Sequence, residues 1–268
     1  MIKIGNDVIT ANYFHDGTAS IQVPNLNLYS HITITWNYQN EHEYMLLYYV
    51  VNHLRDHCSD QKIDLFMPYI PNARFDRVKQ DKEVLTLKWF AQFINDLHFQ
   101  RVIVADPHSN VAKALINNLC LYNIKQTIKD AVDEAVYVDN LDYVTLVAPD
   151  EGAVKRYNLA DWGEPYLFGA KERDWDTRAL KSYNLIGDLS LIKNHNVFII
   201  DDIFSSGGTL RLAAEELKKK GALNIYAWAT HTENSPLINI KPVKRLYTTD
   251  SIYRGSSTDE IKVFHLEV

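Results

Sequence analysis

The sequence predicts an α/β chain of two similar halves, each a mainly parallel sheet flanked by helices. Three observations carry that prediction. Apolar runs at residues 63–68, 101–105, 144–148 and 197–200 each end in a loop rich in Pro, Asp, Gly or Ser, the pattern of strands buried on both faces. Residues 139–142 are polar and separate two such series, so the halves are placed at 1–140 and 141–268. The chain has 268 residues, 46% hydrophobic and 23% charged, enough for one large or two small domains with full cores.

In order along the chain, residues 2–23 alternate apolar and polar around the turn His15-Asp16-Gly17 and read as a small antiparallel unit. Residues 31–36 form a short strand. Residues 41–58 carry Tyr44, Leu47, Tyr48, Val51 and Leu54 at helical spacing, which predicts a core-facing helix. After strand 63–68, residues 68–77 are too rich in proline and charge to continue it; a loop at a strand's end is a candidate binding element. Strand 101–105 ends in Asp106-Pro107-His108, and strand 144–148 in Pro149-Asp150-Glu151-Gly152. Residues 166–170 read as a strand leading into the charged run Lys171-Glu172-Arg173-Asp174. A helix at 210–220, closed by Gly221, and strands at 224–230 and 261–266 complete the second half.

The stretch 196–210 concentrates the chemistry. Its apolar run ends in Asp201 and Asp202, at the carboxyl end of a buried strand, where open α/β folds bind ligands. Ser205, Ser206, Gly207, Gly208 and Thr209 then precede a helix, so several backbone N–H groups can face one anion. Two carboxylates beside such a cradle can accept hydrogen bonds from the vicinal hydroxyls of a ribose, so a sugar phosphate fits the pair better than either half alone. The competing reading is a tight strand-to-helix turn with solvated acids.

A net charge of −6 argues against non-specific nucleic-acid binding. No run of about 18 apolar residues suggests a membrane span, and no signal peptide is evident, so a cytoplasmic location is expected. Cys58 and Cys120 lack metal-type spacing and are expected to be buried free thiols. No Gly-x-x-x-x-Gly-Lys-Ser/Thr occurs, which disfavours a Walker-type kinase.

The stretch 201–209 resembles the ribose-phosphate loop of phosphoribosyltransferase-fold proteins. Four further stretches are similar to the phosphoribosyl pyrophosphate synthetase (ribose-phosphate pyrophosphokinase) branch: Pro-Tyr-Ile-Pro-Asn-Ala-Arg-Phe-Asp-Arg at 68–77, Asp-Pro-His at 106–108, Pro-Asp-Glu-Gly-Ala-Val-Lys-Arg at 149–156 and Lys-Glu-Arg at 171–173. Residues 114–118 resemble a branch found in phages, for which the host cytoplasm is implied, and in NAD-salvage gene sets. The resemblance implies two phosphoribosyltransferase-type domains, an ATP side at 1–140 and a ribose-phosphate side at 141–268.

The implied reaction transfers the pyrophosphoryl group of ATP to the 1-hydroxyl of ribose 5-phosphate, with Mg²⁺ as cofactor. The resemblance places Lys171 and Arg173 on the transferring group. It places Arg74, Phe75, Asp76 and His108 on ATP, His108 and Asp150 on Mg²⁺, and Asp150, Asp201, Asp202 and residues 205–209 on the ribose phosphate. Phe75 stands where glutamine is usual, and Glu151 where alanine is usual. Phe14 and Asp16 match a segment that completes a neighbour's adenine site, which implies a homodimer or higher oligomer; the chain stops without the terminal helix of long synthetases. Ser205 replaces a third aspartate usual in the loop, which keeps ADP-ribose as a rival acceptor. A phosphoribosyltransferase and an inactive regulatory homologue also compete; the first needs no adenine loop, and the second is expected to have lost Lys171, Arg173 or His108.

Overall fold

The computed structural model describes residues 1–24, 30–57, 61–173, 180–205, 207–233 and 240–268, excluding the side chains of residues 172, 173, 180 and 181. It divides into two compact units, Met1–Tyr122 and Asn123–Glu267.

The first unit opens with two hairpins. Strands β1 (Ile2–Ile4) and β2 (Asp7–Ile9) turn at Gly5, and β3 (Ala11–Tyr13) and β4 (Ala19–Ile21) turn through Phe14 to Thr18. Only the second was expected; β1 instead joins the main sheet. That sheet continues with β5 (His31–Trp36), β6 (Lys62–Phe66), β7 (Val102–Val104) and β8 (Leu119–Leu121) in the order β2-β1-β5-β6-β7-β8, parallel from β5 onward. Alternation along β5 buries Ile32, Ile34 and Trp36. Helices α1 (His42–His57) and α2 (Thr86–Asp96) cover the sheet with Leu47, Val50, Val51 and Leu54, and with Leu87, Phe90, Ala91 and Ile94. Tyr48 lies outside this stripe and is exposed, a correction to the expected core face; Val50 takes the inward place. A short helix, α3 (Asn110–Leu115), starts at Ser109, whose hydroxyl accepts from the Val111 amide. Cys120 is a free thiol and is half-buried rather than buried, and Cys58 lies outside the described residues.

The second unit begins with α4 (Ile124–Val138), so the division falls at Tyr122 rather than at 140. The reason is packing: Ile128, Ala131 and Ala135 of α4 share a core with Leu146, Phe198, Tyr226 and Trp228. The seven-stranded sheet contains β9 (Thr145–Ala148), β10 (Tyr166–Arg173), β11 (Leu180–Ile186), β12 (Val197–Phe204), β13 (Ile225–Thr232), β14 (Arg245–Thr249) and β15 (Ile261–Phe264). Its order is β11-β10-β9-β12-β13-β14-β15, and only the edge pair β10–β11 is antiparallel. Helix α5 (Glu151–Tyr157) follows β9, and α6 (Gly208–Lys219) follows β12.

Period-two alternation splits β12 between two cores. Val197 and Ile199 face α6 with Leu210, Ala213 and Leu217, whereas Phe198 and Ile200 face α4 and α5. Each such fully buried apolar side chain contributes about 2–3 kcal/mol of transfer free energy. The strand is thereby clamped from both sides, and that clamp fixes where its acidic end stands.

Candidate active site

Asp201 and Asp202 continue the buried strand β12, at 8% and 3% exposure. Carboxylates this buried need partners. Helix α5, which leaves the neighbouring strand β9, returns Arg156 to them: its guanidinium donates to Asp202 Oδ1 at 2.5 Å and lies 3.8 Å from Asp201 Oδ1. Asp201 Oδ1 also accepts the Asp202 amide at 3.0 Å. Burial first, and then the charge of Asp202, push the Asp201 carboxyl well above the usual carboxylate range, with Arg156 opposing. A folded-state pKa raised this way gives stability that is full below the unfolded carboxylate value and is lost as pH rises through the folded one. Asp201→Asn is therefore expected to raise Tm at pH 7.5 by a few degrees, about 1 kcal/mol, and to leave it unchanged near pH 3.5. Thermal melts at the two pH values check this; a lower Tm at pH 7.5 contradicts it.

Beyond the acids, β12 ends at Phe204 and α6 begins at Gly208. Gly207 sits at φ 73°, and an added Cβ would stand 2.9 Å from the Phe204 ring, so both conformation and space demand glycine. It is the N-cap of α6 and, as a glycine, brings no side chain of its own to cap the helix. A Cβ on Gly208 would meet open space. The first amides of a helix of 12 residues thus stand beyond the carboxyl end of β12 behind a glycine N-cap, the arrangement that receives an anion.

Asp150 and Lys171 border the same cradle. Asp150 caps α5, accepting the Ala153 amide at 3.1 Å, which places its other oxygen at the end of β9. That oxygen accepts from Lys171 Nζ at 3.1 Å, and the same ammonium donates to Thr209 Oγ1 at 3.1 Å. One largely buried cation therefore joins the helix cap of α5 to the first turn of α6. Lys171 and Arg173 were expected in a loop after strand 166–170; they are strand residues instead. Pairing with β9 covers Tyr166, Leu167 and Phe168, and from Gly169 on β10 is held by the antiparallel partner β11. The Arg173 side chain and Ser206 lie outside the described residues.

A tyrosine fixes the base of this hairpin. Tyr183 Oη donates to the Pro149 carbonyl at 3.1 Å, crossing Gly169, where a Cβ would stand 2.1 Å from that hydroxyl. Burial first, and then the charges of Asp150 and Asp201, push the Tyr183 phenol up, so it keeps its proton at neutral pH. Neither Tyr183 nor Arg156 was singled out from sequence. His231 is buried, bonded to Ser251 Oγ at 2.8 Å.

In the first unit, the loops after β6 and β7 are adjacent at their base, where the Ala105 amide donates to the Pro68 carbonyl at 3.1 Å. The first loop is folded by two tight turns, Ala73 N to Ile70 O and Phe75 N to Asn72 O, with Asn72 at φ 62°. Arg74 and Phe75 are exposed and Asp76 half-buried, its Oδ1 accepting from Arg77. From the second loop come the buried Asp106, at φ 46°, and the half-buried His108. Phe14 and Asp16 stand exposed on the β3–β4 turn, where two hydrogen bonds from Thr18 hold the Asp16 carboxyl below its usual range.

The Phosphoribosyl transferase domain family matches residues 121–260, about half of the chain and nearly all of the second unit. The ribose-phosphate pyrophosphokinase of Bacillus subtilis is 30% identical over 218 residues, covering 80% of this chain and 66% of the relative. Ribose-phosphate pyrophosphokinase 1 of Listeria monocytogenes is 27% identical over 259 residues, covering 94% of this chain and 79% of the relative. The chain belongs to the ribose-phosphate pyrophosphokinase family. It spans just under two thirds of the Bacillus relative's length. Phosphoribosylpyrophosphate synthetase from Mycobacterium smegmatis shares the fold, with a TM-score of 0.75, 18% identity and coverage of 96% of this chain and 86% of that one. The family's α/β architecture of mainly parallel sheets flanked by helices is the one the sequence predicted. No helix among the described residues is long and apolar enough to cross a membrane.

Proposed function

We propose that the chain transfers the β,γ-pyrophosphoryl group of ATP to the 1-hydroxyl of ribose 5-phosphate, giving phosphoribosyl pyrophosphate and AMP. The observation that carries this is Lys171, whose ammonium bridges Asp150, at the start of α5, and Thr209, in the first turn of α6. The amides of residues 207–209 receive the 5-phosphate, and Asp201 and Asp202 accept the 2- and 3-hydroxyls. The C1 oxygen forms its bond to the β-phosphorus as the α–β bridging bond breaks toward AMP, and the hydroxyl proton leaves to solvent. Such a transfer rests on in-line positioning and on neutralising the equatorial oxygens, the work assigned to Lys171 and Arg173. Arg74, Phe75, Asp76 and His108 hold ATP, and Phe14 and Asp16 of a second copy complete the adenine site.

Mg²⁺ fits the donors present. Among the described residues no three His, Cys, Asp or Glu side chains gather into a protein-only cage. An ion carried on ATP phosphates needs one or two carboxylates or a histidine. In the second unit Asp150 is 41% exposed at the cradle, with both oxygens able to accept further bonds, and would hold the ion there; in the first unit His108 is the residue that would contact one. When bound, the ion neutralises phosphate charge.

The names of the relatives favour ribose 5-phosphate over ADP-ribose as acceptor. A phosphoribosyltransferase and an inactive homologue are disfavoured by the adenine-type loop and by the retention of Lys171, Arg173 and His108. The test offers ATP, Mg²⁺ and each acceptor separately, reading AMP release and product mass. Ribose 5-phosphate is expected to be preferred by about a hundredfold in kcat/KM, roughly 2.7 kcal/mol of discrimination. A preference for ADP-ribose would overturn the assignment.

A further inference from the structure

Besides the bond from Lys171 to Thr209, the cradle has a contact that reaches it from a further strand. Strand β13 runs parallel to β12 with Phe204 opposite Thr232, and the ladder continues one residue further, the Glu233 amide donating to the Phe204 carbonyl at 2.8 Å. Glu233 is thereby set beside Ser205, whose hydroxyl donates to Glu233 Oε2. A serine hydroxyl has one proton. With that proton directed at a carboxylate, Ser205 turns lone pairs rather than a donor toward an arriving phosphate. A carboxylate supplied by β13 also stands at the rim of an anion site that has no carboxylate in residues 203–209 of its own loop.

We infer that Glu233 determines the selectivity of the cradle. Its charge, tethered through Ser205, rejects acceptors that carry a second phosphate at C5, while a terminal phosphomonoester is held by the α6 amides further along the loop. Specificity of this kind comes from a repulsive element rather than from a better fit to the accepted ligand. A like charge at the rim is costly to any group that must pass it, and most costly where water is excluded. The inference deepens the proposed acceptor site and rests on it.

Glu233→Gln separates charge from shape, because the amide can donate to Ser205 and release its proton toward the ligand. Ribose 5-phosphate and ribose 5-diphosphate, which differ by one phosphate, are titrated calorimetrically against the wild-type chain and the variant without ATP, with thermal melts alongside. In the variant, the preference for the monophosphate is expected to fall by about tenfold or more, with ribose 5-phosphate bound at least as tightly as before. A preference within about threefold of wild type overturns the inference alone, as does a folded variant that no longer binds ribose 5-phosphate, which would make Glu233 a strut for the loop. A wild-type chain that binds neither compound overturns the acceptor site and this inference together.

Discussion

Lys171→Ala is expected to lower kcat by about a hundredfold or more, near 3 kcal/mol of transition-state stabilisation, while the chain remains folded. The size follows from where the charge stands. Lys171 is 16% exposed, so its field is little screened, and its bonds to Asp150 and Thr209 aim it across the mouth of the cradle. Phosphate oxygens arriving there add charge within reach of an ammonium already in place, so little reorganisation accompanies the reaction. Arg173→Ala is expected to act in the same direction. Steady-state kinetics on both acceptors, paired with thermal melts, check the pair; near-normal turnover in both variants would remove them from the chemistry.

Arg156→Ala is expected to act on stability instead, costing about 3–5 kcal/mol, because it leaves two adjacent buried carboxylates without their cation. Asp202 loses its bond at 2.5 Å and Asp201 the opposing charge that limits its upward shift. Protonation relieves such a site, so the cost is expected to shrink as pH falls from 7.5 toward 4.5. Denaturant titrations at the two pH values measure it. A loss below about 1 kcal/mol at pH 7.5, or one that grows on acidification, would show that solvent rather than Arg156 neutralises the pair.

The strands before Asp150 and Asp201 were legible in the sequence because β9 and the first residues of β12 are buried on both faces and read as apolar runs; Asp150 follows β9 as expected, whereas β12 runs on past Asp201 and Asp202 to Phe204 and His108 lies four residues beyond β7. The β10–β11 hairpin was less legible. Its end, residues 171–173, extends past β9 and pairs with β11 alone, and its charged sequence reads as a loop. Arg156 and Glu233 were hidden for a different reason. Their partners lie on other elements, and a pairing between α5 and β12, or between the ends of β13 and β12, leaves no periodic trace. The unit boundary was misplaced because the spacing of Ile128, Ala131 and Ala135 specifies a buried helix face without specifying which sheet buries it.

The two-faced packing of β12 has a consequence for how this sequence can change over generations. Its apolar residues and its acids share one alternation, so the phase that sends Phe198 and Ile200 toward α4 and α5 also sets the order of Asp201 and Asp202. Deleting or inserting one codon between 198 and 201 would put the residues after it out of phase with those before it, so that with Phe198 kept in its core the acids would be reversed against Arg156. Substitutions there can be absorbed one at a time, whereas a change of length cannot.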